Sequence, residues 1–96
     1  MTTDPDLLRE LALIEQFRPA FVRADAEWLL DEEEVQELLV ETGGDAALLA
    51  HELNDQGDCC VLMWLPEHAG LSEPMYASFR RYALALKAVA ASLGRG

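Results

Sequence analysis

Apolar positions recur at helical spacing over four stretches of the chain, and alternate or run together over two others. Leu7, Leu8, Leu11, Ile14 and Phe17 follow one another at steps near 3.6 residues, which predicts an amphipathic helix. Asp4 stands as its N-cap, Pro5 fits the first helical position, and Asp6 suits the positive end of the helix dipole. Pro19 is expected to stop this helix, because it pushes Arg18 before it out of helical geometry. Val35, Leu38 and Leu39 form the apolar face of a second helix, with Asp31 as N-cap and Glu34 three residues on. Gly43-Gly44 ends it. Asp45 caps a third helix through A-A-L-L-A-H-E-L, and Gly57 closes that region.

The longest helix comes last. Ser72 caps it, Pro74 sits in its first turn, and it runs to Leu93 before Gly94. Tyr76, Phe79, Ala83, Leu86, Ala90 and Leu93 repeat at alternating steps of three and four. Its remaining faces are also poor in charge, and a helix apolar around most of its girth calls for cover on more than one side. A second copy of the chain would supply that cover. The expected interface is Tyr76, Phe79, Tyr82, Leu86 and Val89, with Arg80 and Arg81 at its rim.

Two stretches read as strands. Between Ala20 and Trp28, Val22, Ala24, Ala26 and Trp28 alternate with Arg23, Asp25 and Glu27. Phe21, Ala24 and Trp28 also share a helical stripe, so the pattern is ambiguous. The run Cys59 to Leu65 is wholly apolar, opened by Gly57-Asp58 and closed by Pro66, and reads as a strand buried on both faces. One strand cannot satisfy its own hydrogen bonds, which favours the first stretch as its neighbour. The expected fold is therefore a small α+β domain, with four helices around a short two-stranded or dimer-completed sheet; an all-α fold is the alternative.

Composition narrows the function. A chain of 96 residues with 51% hydrophobic and 26% charged residues is expected to form a single domain over 1–96. The longest apolar run is Cys59 to Leu65, far short of the about 20 residues that cross a bilayer. Acids near the N-terminus stand where a secretory signal would carry Lys or Arg, so a cytoplasmic location is expected. The net charge is −11. Residues 1–58 hold 16 acids and 3 bases, and residues 59–96 hold 2 acids and 4 bases. Such a body repels nucleic acid and anionic membrane and tolerates a basic protein partner.

Candidate chemistry is sparse. Adjacent Cys59 and Cys60 point to opposite faces of a strand and lack the spacing of zinc ligands, so packing explains them better than metal or redox work. His51 and His68 stand at no recognisable metal spacing and beside no nucleophile motif. The run Asp31 to Glu34 lacks the spaced oxygens and central glycine of a calcium loop. The stretch T-G-G-D-A-A-L-L-A-H-E-L, Thr42 to Leu53, resembles the turn and middle helix of a Fis-type helix-turn-helix. That resemblance implies a basic recognition helix next, but no Arg or Lys lies between Arg23 and Arg80, which excludes the phosphate contacts it needs. No catalytic residue, metal or cofactor is expected. The reading is a non-enzymatic cytoplasmic interaction module, homo-oligomeric and acidic on its surface. The alternatives are an acidic inhibitor that mimics nucleic acid, and a small enzyme or metal-binding protein using His51, His68, Cys59 and Cys60.

Overall fold

Four α-helices and one 3₁₀ turn make up the fold seen in the computed structural model, which describes residues 4–59 and 73–94. They are α1 (Pro5–Arg23), the 3₁₀ turn (Glu27–Asp31), α2 (Glu33–Thr42), α3 (Ala46–Cys59) and α4 (Glu73–Gly94). No strand occurs among the described residues. The α+β expectation is thereby corrected to the all-helical alternative.

The strand expected over residues 20–28 is lost to a longer first helix. α1 passes through Pro19 and ends at Arg23. Proline inside a helix removes one hydrogen bond and costs about 3 kcal/mol. Phe17, Ala20 and Phe21 flank it and are buried, and each buried Phe contributes about 1.5–3 kcal/mol. Packing therefore carries the helix past the break. It ends instead in a Schellman turn: Ala26 N–H donates to the Phe21 carbonyl at 2.9 Å and Asp25 N–H to Val22 at 3.0 Å. Asp25 takes the left-handed position (φ 55°) that glycine usually fills. The alternation read as a strand is this turn followed by the 3₁₀ turn, which buries Leu29 and Leu30.

The other strand expectation falls on two regions. Cys59 is the last residue of α3, so the run does not begin as a strand, while residues 60–65 lie outside the described residues. Gly57 does not end α3 but lies buried within it.

The remaining boundaries follow local chemistry. Asp4 accepts the Asp6 N–H at 2.9 Å and Asp45 accepts the Leu48 N–H at 3.1 Å, so both caps act as their sequence implies. Asp31 does not cap α2. It ends the 3₁₀ turn, and Glu32 takes the N-cap position without a side-chain bond. Gly43 closes α2 in the left-handed conformation (φ 58°).

One core joins all the elements. Phe21, Leu29, Val35, Leu39, Leu49, Leu53, Leu86 and Val89 are each fully buried in it. α3 and α4 make the most extensive contact, running antiparallel, with the last turn of α3 against Ala83 and Lys87. α1 packs against α2 and α4 and is tied to the end of α4 where Arg23 Nε donates to Ser92 Oγ at 3.2 Å. Gln36 donates to the Leu30 carbonyl at 2.9 Å and fixes α2 to the 3₁₀ turn.

The tightest point of the α3–α4 contact yields a test. A Cβ at Gly57 would lie 2.6 Å from Lys87 Cγ and 3.0 Å from the Ala83 carbonyl oxygen. Alanine gains up to about 1 kcal/mol of helix propensity over glycine. Overpacking costs about 1–3 kcal/mol and should prevail. Gly57→Ala is expected to lower stability by about 1 kcal/mol, measured by urea unfolding; a gain in stability would show that the two helices are not held this close.

Candidate interaction groove

The apolar stripe of α4 continues past its fully buried part. Leu86 and Val89 are fully buried, Tyr82 and Phe79 are half-buried, and Met75 is 51% exposed. These residues repeat at steps of three and four, so they share one face. The last turn of α3 reaches α4 at Ala83 and Lys87, where Asp58 also pairs with Lys87 Nζ. The part of α4 before Ala83 therefore projects past the end of α3. Its inward face looks instead toward the start of α2.

There an open groove of about 490 Å³ lies between the two helices, lined by Met75, Ser78, Phe79 and Tyr82 on α4 and by Glu32, Glu33 and Glu34 across from them. The acids gather there because they begin α2, where the helix dipole favours negative charge. Tyr82 bridges the walls, its hydroxyl donating to Glu34 Oε2 at 3.2 Å. Its ring stands 6.5 Å from that of Trp28, and the Arg81 guanidinium lies 4.6 Å above the Trp28 ring. This aromatic and cationic stack fixes one end of the groove. The ion pairs among the described residues are Arg18 with Glu15 and Glu27, and Lys87 with Asp58; His51 also stands beside Asp55. The guanidinium of Arg18 is held above its ordinary value, chiefly by its hydrogen bond to Glu15. None of these pairs reaches Glu32 or Glu33.

The residues expected at an interface divide into three groups. Tyr76, 42% exposed, and Arg80 stand on the surface of α4, and Arg81 is also exposed above Trp28. Phe79 and Tyr82 line the groove. Leu86 and Val89 are interior to their own chain, so intramolecular packing already covers them. A second groove lies between α1 and α2, lined by Glu10, Gln36, Glu37, Val40 and Glu41 along with Glu33. Periodicity alone gave the stripe on α4, but not that Glu32 and Glu33 lie opposite it. They are more than forty positions away along the chain, and the packing of α2 against α1, α3 and the 3₁₀ turn brings them there.

Of the histidine and cysteine candidates, two lie among the described residues. His51 and Cys59 lie two turns apart on α3, with His51 Nε2 3.2 Å from Asp55 Oδ2 on the surface. Cys60 and His68 lie outside the described residues. No group of three His, Cys, Asp or Glu among the described residues could hold a metal ion. The buried packing expected of Cys59 is corrected, for its side chain is exposed at the end of α3. No helix among the described residues is long and apolar enough to cross a membrane.

Fold and groove together define a class: a small acidic protein, helical over its described residues, with an amphipathic groove between α2 and the N-terminal half of α4. No family model, curated protein or solved structure matches the chain.

Exposure of Cys59 gives a direct check. In a Cys60→Ser variant, a thiol reagent should label Cys59 in the native protein within roughly an order of magnitude of the rate for an unstructured thiol. Labelling that requires denaturant would place Cys59 in the interior.

Proposed function

We propose that this protein is a non-enzymatic interaction module and that its contact surface is the N-terminal half of α4 together with the acidic start of α2. The observation that carries this reading is the break in burial along one helical stripe, from Leu86, which is covered, to Met75, which is not. An apolar stripe that continues in register past its own core is a feature of helices that complete their packing against a partner. Tyr76 beside it adds an aromatic of the kind enriched at interface cores. A cytoplasmic location belongs to the same proposal, since adjacent Cys59 and Cys60 suit a reducing compartment.

Self-association is a second reading, favoured by the outer face of α4. There Ala77, Leu84 and Ala88 are exposed beside Arg80 and Arg81, and Leu84 is 52% exposed. A two-fold dimer would set those arginines near the acids of the other copy. Sedimentation equilibrium across a dilution series tests it: a dimer lost in Leu84→Ser supports it, and a monomer at every concentration overturns it.

The main reading has its own test in stability. Residues kept for contact contribute little to folding. Met75→Ser and Tyr76→Ser should each change stability by no more than about 0.5 kcal/mol, as surface substitutions do. Leu86→Ala, on the same helix, should cost about 2–5 kcal/mol. Urea unfolding of the three variants decides the matter. A loss above about 2 kcal/mol in Met75→Ser would assign that side chain to the core and remove the contact surface.

A further inference from the structure

We infer that the outer face of α4 in one copy of the chain docks against the groove between α1 and α2 in a second copy, with Arg80 and Arg81 set against Glu37 and Glu41 and Leu84 against Val40. The contact rests on the self-association reading above and names the surface that α4 meets.

α4 carries a face that is both basic and apolar. Ala77, Arg80, Arg81 and Leu84 stand at i, i+3, i+4 and i+7, share one side of the helix and are all exposed. They span about 10 Å of α4. Lys87 is paired with Asp58, but no ion pair among the described residues takes up Arg80 or Arg81. The Arg81 guanidinium lies over Trp28, and that ring positions the charge without neutralising it.

The groove between α1 and α2, about 420 Å³ in volume, is the complement of that face. Glu33, Glu37, Val40 and Glu41 stand at i, i+4, i+7 and i+8 and span about 12 Å of α2, with Glu10 of α1 lining the same groove. Val40 is exposed there, and so is Leu7, three residues before Glu10 on the same side of α1. The ion pairs among the described residues include none of these four carboxylates. Each face therefore sets apolar carbon beside charge of one sign, over about two turns of helix, and the two signs are opposite. Any other partner has to bring one charged face from outside, whereas a second copy brings both. Exposed ion pairs contribute little energy, so the charges select partner and register while Leu84 and Val40 supply the apolar contact. The net charge of −11 opposes the approach of two copies at long range. At about 0.15 M salt the screening length is about 8 Å, so repulsion between distant acids is largely screened while pairs enclosed in a contact keep most of their attraction.

The test is sedimentation equilibrium of the full chain across a dilution series at about 0.15 M salt, with circular dichroism to check that each variant folds. Arg80→Glu with Arg81→Glu should weaken self-association by roughly tenfold or more, since like charges brought together across a contact oppose it. Glu37→Arg with Glu41→Arg should weaken it as much, although it makes the chain less negative and so lessens the general repulsion. Mixed in equal amounts, the two variants should associate to within about threefold of the wild type, because each supplies the face that the other has lost. Arg80→Glu alone keeps Arg81 over Trp28 and should weaken association by roughly threefold or more, which serves if the first double variant does not fold. Wild-type association in the Glu37, Glu41 variant would overturn the inference, while a loss in Leu84→Ser would still uphold self-association through α4. Failure of the mixture to recover would show that the two faces do not meet and would overturn it as well. A wild-type monomer at every concentration would remove the self-association reading itself, and this contact with it.

Discussion

The close approach of α3 to α4 at Gly57 is the constraint on which the rest of the structure depends. Without a side chain there, α3 settles against the Ala83 backbone and the stem of Lys87. That contact sets the level at which α3 stops along α4. Leu49 and Leu53 then meet Leu86 and Val89 in one core, and the Asp58–Lys87 pair closes the end of the contact on the solvent side. The pair is partly exposed and adds little energy of its own. Its place beside Gly57 fixes register more than it adds stability.

From this register the groove follows. α4 is long enough to continue past α3, and its stripe keeps its period as it does so. α1 and the 3₁₀ turn hold α2 so that its acidic start faces that projecting end. The acids serve α2 locally, through the helix dipole, and the groove collectively, through the sign of its rim. One set of residues thus meets a folding requirement and a surface property at once. The buried side-chain polar atoms of the described residues all have partners, so the interior holds no unsatisfied group that would point to a site there.

Much of the helical framework was legible from the chain. The caps at Asp4 and Asp45, the glycine stop at Gly43 and the span of α4 all rest on interactions within a few residues, and such interactions can be read locally. The strand over residues 20–28 was misread because its alternation is shared by a Schellman turn and a 3₁₀ turn. No glycine marks the stop, since Asp25 takes the left-handed position. The break at Pro19 was misread for another reason. A proline's local cost is fixed by its chemistry, but whether a helix bears it depends on what Phe17 and Phe21 bury, and that is a tertiary matter.

The sequence by itself determined the helix periods, the apolar stripe of α4 and the concentration of acids before residue 59, because these are properties of spacing and composition. Tertiary structure alone decided which part of that stripe is covered. Leu86 and Met75 hold equivalent places in the pattern, yet one is sealed by α3 and the other lies beyond its reach. Tertiary structure also decided what faces the N-terminal half of α4, bringing Glu32 and Glu33 across from Phe79. The physical reason is that burial and electrostatic environment are set by distance in space, and distance along the chain fixes that only within a few turns.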